Sequence, residues 1–275
     1  MKKWYAVIGD PITHSLSPFM HEAWFDEHEI DAAYLPIHVE PSQLEKSFEA
    51  MKTLGISGFN ITLPHKRSIV PLLGKLEKSA MQMNAVNTVS FDGAEYSGLN
   101  TDGDGFVRSL LVHDVDKTAK VLLIGAGGAA RGIAYALKRA GFMDITITNR
   151  TYRRAEELAT EIQSSAITLT ESEERLVEFE VLVQTTSVGL TTSEALPISL
   201  NGVKAGTLVA DIIYTPLETP FLKKAAEKNC VTLNGVGMFV YQGAIAFEQW
   251  TGVQPNTEKM IQLITEKLGG TYVNN

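Results

Sequence analysis

A chain of 275 residues, of which 44% are hydrophobic and 20% charged, has the length and composition of a globular protein with two modest domains. Its formal net charge of −8 argues against nucleic acid or an anionic membrane surface as the main partner, since neither attracts an acidic protein. The single cysteine, Cys230, excludes an internal disulfide and most structural zinc sites, and the chain shows neither a signal-peptide core nor an apolar run of membrane-spanning length. We therefore expect a cytoplasmic protein without a bound metal.

Strand and helix patterns alternate from the first residues, as in an α/β protein. The predicted elements are a strand Trp4–Ile8, a helix Pro18–His28, a strand Ala33–His38, a helix Ser42–Leu54, a strand Gly58–Ile61, short helical pieces at Lys66–Leu73 and Glu77–Met83, and a hairpin-like pair of strands, Ala85–Phe91 and Glu95–Gly98. We interpret residues 1–101 as the first domain.

A second alternating series follows a connecting helix, Gly103–His113. Its predicted elements are Val121–Ile124, helix Gly128–Ala140, Ile145–Thr148, helix Tyr152–Glu161, Val181–Gln184, a surface loop at 191–200, Leu208–Ile212, helix Pro220–Lys228, Val231–Leu233, and two amphipathic helices, Phe239–Trp250 and Thr257–Leu268. We interpret residues 102–236 as a doubly wound nucleotide-binding domain, and residues 237–275 as helices that pack back across the cleft onto the first domain.

A glycine-rich turn follows the strand Val121–Ile124 and opens the next helix. Gly125 allows a tight turn, Gly127 allows the backbone to approach a phosphate, and the small Ala130 lets the helix pack on its strand. The candidates for holding a dinucleotide pyrophosphate are Gly125, Ala126, Gly127, Gly128 and Ala129. A glycine triplet also occurs in strand-to-helix turns that bind nothing, so the motif needs support from the next strand.

That strand, Ile145–Thr148, is followed by Asn149, Arg150, Thr151, Arg153 and Arg154. An NAD site usually carries Asp or Glu here, roughly 20 residues past the glycines, to bond the ribose 2′-hydroxyl. Guanidinium groups bind phosphate bidentately, so Arg150 and Arg154 fit the 2′-phosphate of NADP. We interpret Arg153 as a solvated residue at a helix start. NADP is therefore the predicted cofactor.

Polar residues stand at strand ends in the first domain, where open α/β sheets hold ligands. Pro64 fixes a turn that presents Lys66, which is either catalytic or simply solvated. Asn87 ends a run on a neighbouring strand, and Asp102 begins the connecting helix, as a catalytic group or as a helix cap.

Two hydroxyl groups, those of Ser15 and Ser17, precede the first helix. One serine is explained as the helix cap. Two serines flanking a single residue could instead bind a carboxylate together with the helix dipole.

Seven motifs stand in the same order as in shikimate dehydrogenases: Ser15–Pro18, Asn60–Lys66, Ala85–Thr88, Asn100–Gly103, Gly125–Ala129, Asn149–Thr151 and Gly235–Met238. The resemblance to this family covers essentially the whole chain. It implies an N-terminal α/β substrate domain and a doubly wound Rossmann-type NADP-binding domain, with the active site in the cleft between them. It also implies reversible NADPH-dependent reduction of 3-dehydroshikimate to shikimate, a step of chorismate and aromatic amino-acid biosynthesis.

The same resemblance assigns roles to individual residues. It makes Lys66 and Asp102 the catalytic pair. It assigns substrate binding to Ser15, Ser17, Thr62, Asn87, Tyr214 and Gln242, and cofactor binding to the glycine turn together with Asn149, Arg150, Thr151, Arg154, Thr186, Ile213, Gly235 and Met238. The partners it implies are small molecules, with no nucleic acid and no membrane, and we expect a monomer or a homodimer.

The chemistry of lysine agrees with this assignment. When a ketone is reduced, negative charge grows on its oxygen, and a cation that can also give a proton stabilises the transition state. Lys66 can do both, and Asp102 would orient its ammonium group. Because the two would titrate as a coupled pair, which of them carries the proton stays open. His14 and His65 are alternative proton carriers that we interpret as structural.

Two residues depart from the family pattern. Gln184 stands where the family usually has Asn, and Leu190 where Met is common, which weakens the prediction that this segment contacts the cofactor. The alternatives are a quinate/shikimate dehydrogenase with relaxed cofactor use, a methylenetetrahydrofolate dehydrogenase, and a non-catalytic NADP-binding regulatory module on the same fold. Arg150 argues against the first, and the serine pair has no obvious task in the second.

Overall fold

The computed structural model describes residues 2–190 and 194–270, so residues 191–193 of the predicted surface loop lie outside the described part. The chain forms two compact units. The first unit contains the residues up to Thr101 together with Gln242–Met260, and the second contains Asp102–Tyr241 with the residues from Ile261 onward. No helix within 2–190 or 194–270 is long and apolar enough to cross a membrane, and no three His, Cys, Asp or Glu residues there are grouped to hold a metal ion.

A mixed six-stranded sheet forms the centre of the first unit. The elements, in chain order, are β1 (Lys3–Gly9), α1 (Ser17–Glu27), β2 (Ala32–His38), α2 (Leu44–Thr53), β3 (Gly58–Ile61), β4 (Lys75–Leu76), α3 (Lys78–Met83), β5 (Thr88–Phe91) and β6 (Tyr96–Leu99). The strand order is β2-β1-β3-β5-β6-β4, with β5 antiparallel to β3 and β6. Since β1 and β3 are parallel, the segments that follow them meet, and the N–H of Asp10 donates to the carbonyl of Leu63 at 3.0 Å.

Apolar side chains cover both faces of this sheet. One face carries Ala6, Ile8, Phe59 and Ile61, which belong to a buried cluster with Phe48 of α2. On the other face, the ring of Tyr5 stacks on Phe25 of α1 and on Trp250, with centroids 5.3 and 4.9 Å apart. The indole N–H of Trp250 also donates to the carbonyl of Val89 at 3.0 Å, so a C-terminal helix is fixed to the middle of this sheet.

The second unit contains a parallel six-stranded sheet. Its elements begin with α4 (Asp102–Leu111), β7 (Val121–Ile124), α5 (Gly128–Ala140), β8 (Ile145–Thr148), α6 (Tyr152–Glu161), β9 (Ser165–Ile167) and α7 (Leu169–Glu174). They continue with β10 (Val181–Gln184), β11 (Leu208–Asp211), α8 (Pro220–Glu227), β12 (Val231–Leu233), α9 (Val236–Thr251) and α10 (Thr257–Lys267). Helix α9 begins in the second unit and ends in the first, whereas α10 begins in the first unit and ends in the second. The order β12-β11-β10-β7-β8-β9 reverses direction between β7 and β10, as in a doubly wound sheet.

Alternating residues of the central strands enter two separate apolar clusters. Val121 and Leu123 of β7 pack with α5, whereas Leu122 and Ile124 pack with Phe221 of α8. Burial on both faces explains why these strands read as continuous apolar runs rather than as alternating ones. The predicted α/β class, with a Rossmann-type sheet in the second part of the chain, is confirmed.

Three short elements, β4, β9 and α7, have no counterpart among the predicted ones. The two strands hold only two and three residues, too few to show an alternating pattern. By contrast, α7 carries a recognisable signal, because Thr168 and Glu171 form a capping box at its start. The segment predicted as helical at Lys66–Leu73 is instead a series of turns ending in a 3-10 turn, Val70–Leu72, since Pro71 cannot donate a helical hydrogen bond.

Candidate active site

The glycine turn lies at the point where the order of the second sheet reverses. Gly125 directly follows β7 with φ of +118°, a conformation that side chains rarely adopt. A Cβ atom at this position would also overlap the hydroxyl of Thr185, which directly follows β10. Only glycine fits here, and it lets the ends of β7 and β10 approach. Ligands of doubly wound sheets bind at this position.

No side chain caps the start of α5, where the anion of a dinucleotide would lie. Gly127, the residue before α5, has an extended backbone and offers no side chain. A Cβ atom added to Gly127 or Gly128 would meet no heavy atom within 4 Å, so the space in front of the helix is open. Ala126 and Ala129 are half-buried within the same turn. Open space in front of an uncapped helix N-terminus fits the pyrophosphate of NADP.

Arg150 and Arg154 are exposed around the start of α6. Within 2–190 and 194–270 neither forms an ion pair, whereas Arg153 pairs with Glu157 at 3.0 Å. Of the three arginines between 150 and 154, the two predicted to hold a phosphate are therefore those without a carboxylate partner in the described residues. The Nδ2 atom of Asn149 donates to the carbonyl of Thr151 at 2.9 Å and so shapes the turn between β8 and α6.

Gln184, at the end of β10, is fully buried and organises the segment behind it. Its Nε2 donates to the carbonyls of Thr186 and Val188, at 3.2 and 2.9 Å, and its Oε1 accepts from the N–H of Thr186 at 2.7 Å. Gln184, which departs from the family pattern, thus forms hydrogen bonds with three backbone groups of residues 186–188. The methyl group of Thr186 would lie 3.1 Å from a Cβ at Gly125, so Thr186 stands beside the glycine turn.

The segment after β11 is held by a buried carboxylate. Asp211 is 1% exposed, and its oxygens accept from the N–H of Ile213 at 3.0 Å and from the hydroxyl of Thr219 at 2.8 Å. Burial raises the pKa of Asp211 to about 6. The carbonyl of Ile213 in turn accepts from the N–H of Gly235 at 3.0 Å. The two cofactor candidates Ile213 and Gly235 are therefore adjacent.

Tyr214 and Met238 belong to the same unit. The ring of Tyr214 contacts that of Phe239, with centroids 5.1 Å apart, and burial raises the pKa of Tyr214. Met238 packs against the apolar cluster that lies under α5. Both residues are half-buried.

In the first unit, Ser15 and Ser17 lie at the start of α1. The N–H of Ser17 donates to Oγ of Ser15 at 3.3 Å, while Leu16, the residue before the helix, provides no side-chain cap. Ser15 is half-buried and Ser17 is 8% exposed. The hydroxyl of Ser15 thus acts in part as a cap, and that of Ser17 is not needed as one.

Lys66 is half-buried in the turn that follows β3, and its carbonyl accepts from the N–H of Val86 at 2.7 Å. Next to it, His65 is 1% exposed, with Nε2 lying 2.6 Å from the carbonyl of Val39. This contact agrees with a structural role for His65. His14, by contrast, is exposed.

Thr62 connects the ends of two strands. Its N–H donates to the carbonyl of Ile8 at 2.9 Å, and its methyl group occupies the space that a Cβ at Gly9 would need. The side chain is half-buried, at the carboxyl end of β3.

Asn87 is the most connected of the predicted substrate residues. It is 2% exposed, and its Oδ1 accepts from the N–H of Thr101 and from the hydroxyl of Thr88, each at 2.9 Å. Its Nδ2 donates to Oγ1 of Thr101 at 2.9 Å and to Oε1 of Gln242 at 3.4 Å. The structure therefore brings Asn87 and Gln242 together.

Asp102 is the first residue of α4 and is half-buried. It begins the second unit, whereas Lys66 belongs to the first. The following Gly103 lies so close to the carbonyl of Gly132 in α5 that a Cβ atom would not fit, which fixes this end of α4 on α5.

Two residues outside the predicted set connect the substrate candidates. Tyr34 of β2 donates its hydroxyl to Oδ1 of Asn60 at 2.6 Å, and Nδ2 of Asn60 donates to the carbonyl of Asn87 at 3.2 Å and to Oγ1 of Thr88 at 3.0 Å. An asparagine between Phe59 and Ile61 in a buried strand is a signal that could have identified Asn60. Nothing in the pattern of β2 distinguishes Tyr34 from an ordinary core tyrosine.

Three family models match the chain in order. They describe a shikimate dehydrogenase substrate binding domain at residues 7–89, a shikimate/quinate 5-dehydrogenase at 110–212, and a shikimate 5′-dehydrogenase C-terminal domain at 235–265.

Relatives and solved structures agree with these matches. Shikimate dehydrogenase (NADP⁺) from Lysinibacillus sphaericus is 52% identical over 276 residues, covering 98% of this chain and all of the relative. The crystal structure of shikimate dehydrogenase from Aquifex aeolicus has a TM-score of 0.87 and 38% identity, covering 94% of this chain and 95% of its own. That of the Thermus thermophilus enzyme in complex with NADP(H) and shikimate has a TM-score of 0.87 and 33% identity, covering 94% and 97%. With such a relative matching over nearly its full length, the chain belongs to the shikimate dehydrogenase family.

Proposed function

We propose that this protein is an NADP-dependent shikimate dehydrogenase. It is an oxidoreductase that catalyses the reversible reduction of 3-dehydroshikimate to shikimate, a reaction of the shikimate pathway, which leads to chorismate and the aromatic amino acids. The observation that carries the proposal beyond family membership concerns one segment, Val86–Asn87. The N–H of Val86 donates to the carbonyl of Lys66, and the side chain of Asn87 accepts from the N–H of Thr101, the residue before Asp102.

In the proposed reaction, NADPH, when bound, supplies the hydride that reaches the ketone carbon. The ammonium group of Lys66 stabilises the negative charge that grows on the ketone oxygen and donates a proton to it. In the oxidation of shikimate, the neutral amine of Lys66 takes the proton of the hydroxyl group. Asp102 is its partner in the catalytic pair and orients the ammonium group.

Substrate binding is assigned to the polar side chains of the strand ends. Ser15 and Ser17 bind the carboxylate of shikimate, supported by their position at the start of α1. The remaining contacts come from Thr62, Asn87, Tyr214 and Gln242. The bond between Asn87 and Gln242 supports a shared task for these two.

Cofactor binding is assigned to the second unit. The residues Gly125, Ala126, Gly127, Gly128 and Ala129 and the start of α5 hold the pyrophosphate, supported by the open space at Gly127. Arg150 and Arg154 hold the 2′-phosphate, with Asn149 and Thr151 forming the turn between them. Thr186, Ile213, Gly235 and Met238 extend this surface along the cofactor.

We also propose a division of tasks along the chain, with substrate binding and catalysis in residues 1–101 and NADP binding in residues 102–236. The helices of residues 237–275 add Gln242 to the substrate site. The enzyme is proposed to be cytoplasmic, where NADP(H) is found, and to be a monomer or a homodimer, which size-exclusion chromatography coupled to light scattering would distinguish.

The test is an absorbance assay of nicotinamide reduction that crosses shikimate and quinate with NADP and NAD. The proposed function predicts the highest kcat/KM for shikimate with NADP. Comparable turnover of quinate, or of NAD, would identify a quinate/shikimate dehydrogenase with relaxed cofactor use. Binding of NADP without turnover of either substrate would identify a regulatory module instead.

A further inference from the structure

Tyr34 fastens α1 to the sheet of the first unit by two separate contacts. Its backbone N–H donates to the carboxylate of Glu22, and its ring stacks face to face on the ring of His21, with centroids 4.4 Å apart and planes 8° from parallel. Both partners lie on α1, and Tyr34 itself is 2% exposed.

The hydroxyl of Tyr34 binds to the next strand but one of the sheet. It donates to Oδ1 of Asn60 in β3 at 2.6 Å. Burial raises the pKa of Tyr34 far above its usual value, so the phenol stays protonated and keeps this donor. Asn60 Oδ1 is thereby held as an acceptor, and its Nδ2 is left to donate towards the following strand.

From Asn60 the polar contacts continue to the substrate candidate on the next strand. Nδ2 of Asn60 donates to the carbonyl of Asn87 at 3.2 Å and to Oγ1 of Thr88 at 3.0 Å, and the hydroxyl of Thr88 donates to Oδ1 of Asn87 at 2.9 Å. Tyr34, Asn60, Thr88 and Asn87 thus form a continuous buried chain of hydrogen bonds within one unit. Such a chain has few alternative arrangements, because each buried polar group needs its partner.

We propose that Tyr34 is a positioning residue for shikimate: through Asn60 and Thr88, its hydroxyl fixes the orientation of the Asn87 side chain. This role rests on the proposed function, in which Asn87 binds the substrate. Removal of the Tyr34 hydroxyl therefore acts on substrate binding through the side chain of Asn87.

The test compares Tyr34→Phe with Tyr96→Phe. Tyr96 is a matched control because it is buried in the same unit and its hydroxyl also donates at 2.6 Å, to the carbonyl of Ile56. Both variants keep the ring and lose one buried hydrogen bond, so both should lose a similar amount of stability in urea unfolding. Tyr34→Phe should in addition raise the KM for shikimate roughly tenfold, which is the scale expected when one hydrogen bond is lost. The change in kcat should be smaller, and the KM for NADP should stay the same.

Two outcomes of this comparison overturn the positioning role. One is an unchanged KM for shikimate in Tyr34→Phe. The other is an equal rise in Tyr96→Phe, which would make the effect one of general destabilisation.

A double-mutant cycle with Asn87→Ala separates this role from the proposed function. If Tyr34 acts through Asn87, the double variant raises the KM for shikimate by less than the product of the two single effects. A rise equal to that product overturns the link through Asn87. If Asn87→Ala alone leaves the KM unchanged, the assignment of Asn87 to the substrate is wrong. If Asn87→Ala raises it and Tyr34→Phe does not, only the positioning role is wrong.

Discussion

The Oδ1 atom of Asn87 accepts a hydrogen bond from the backbone N–H of Thr101 at 2.9 Å, and Thr101 directly precedes Asp102. One residue before Asn87, the N–H of Val86 donates to the carbonyl of Lys66 at 2.7 Å. Two neighbouring residues of one segment therefore set the backbone positions next to both members of the proposed catalytic pair. Catalytic groups need this kind of support, because small displacements reduce the rate strongly.

Replacing Lys66 with alanine should lower kcat by at least about a hundredfold, the usual scale for a general acid or base, while the KM for shikimate changes little. The reason is that proton transfer and charge stabilisation both depend on the ammonium group. Steady-state oxidation of shikimate by NADP measures the effect, with Lys75→Ala, an exposed lysine of the same unit, as the control. A Lys66 variant within about tenfold of the wild-type kcat would remove this lysine from the chemistry.

The variant Asp102→Asn should also lower kcat about a hundredfold, because the neutral amide cannot orient the ammonium group of Lys66 as the carboxylate does. Asp104→Asn is a matched control in the same first helical turn, where Asp104 pairs with Arg139 at 2.7 Å. The control should keep its turnover. If both variants keep it and lose only a little stability, Asp102 serves the helix start rather than catalysis.

Replacement of Arg150 by alanine should weaken NADP binding roughly ten- to a hundredfold, the cost of a charge-assisted contact to phosphate, and leave NAD binding nearly unchanged. Titration of each cofactor by fluorescence measures both dissociation constants. Arg153→Ala is the control, since Arg153 already pairs with Glu157 and should contribute little. Equal losses for both cofactors would assign Arg150 a structural role, and Arg154 would become the phosphate ligand to test.

Replacing Ser15 and Ser17 together with alanine should raise the KM for shikimate strongly, with a smaller change in kcat and none in NADP affinity. Each hydroxyl donates to a charged group, which is worth about 1.5 to 3 kcal/mol.

A shikimate analogue with a neutral amide in place of the carboxylate supplies the control for the serine pair. The wild type should bind this analogue poorly, and the double variant should lose little further. Equal losses for acid and amide would show that the serines support the turn and the helix start.

Stability should fall below neutral pH because of His21, which is fully buried among aromatic rings. Burial lowers the pKa of His21 to about 3, whereas the unfolded chain titrates near 6.5. The unfolded state therefore binds a proton that the folded state does not, and the free energy of unfolding drops as pH falls from 6.5 towards 3. Between pH 7 and pH 5 this group alone accounts for about 2 kcal/mol.

Urea unfolding of wild type and His21→Phe at pH 7 and pH 5 measures this effect. The free energy of unfolding at pH 7 minus that at pH 5 should be about 2 kcal/mol lower in the variant than in the wild type. Asp211, whose raised pKa acts in the opposite direction as pH rises towards 6, is common to both proteins and does not alter the comparison. An exposed control, His14→Gln, should behave as wild type. An unchanged pH dependence in His21→Phe would contradict the prediction.

Much of the second unit can be predicted from sequence because its signals are local. The glycine turn at Gly125–Ala129 and the apolar runs of β7 and β10 each reflect a backbone requirement that only a few residue types meet. The exchange of Gln for Asn at residue 184 is different. Its effect depends on which backbone groups the longer side chain reaches, and those are visible only in the folded loop.

The substrate candidates of the first unit show the limit more clearly. Polar residues at strand ends mark Lys66 and Asn87 as candidates, and two hydroxyls before a helix mark the serine pair, because both patterns are recognisable in the sequence. Tyr34 and Asn60 are far apart in sequence, and they come close in space only because β2 and β3 flank the same strand, β1. Periodicity carries no information about such long-range pairs.

Trp250, which stacks on Tyr5 and donates to the carbonyl of Val89, makes the first unit dependent on a stretch of chain that is translated after strands β7 to β12 of the second unit. On the ribosome, residues up to Thr101 emerge long before residues 242–260, so the first unit waits with one face of its sheet covered only in part, by α1, while residues 102–241 of the second unit have already been synthesised. A nascent chain stalled before residue 250 exposes that aromatic face to chaperones and to other chains. The order of synthesis thus delays completion of the first unit's core until the strands of the second sheet have been made.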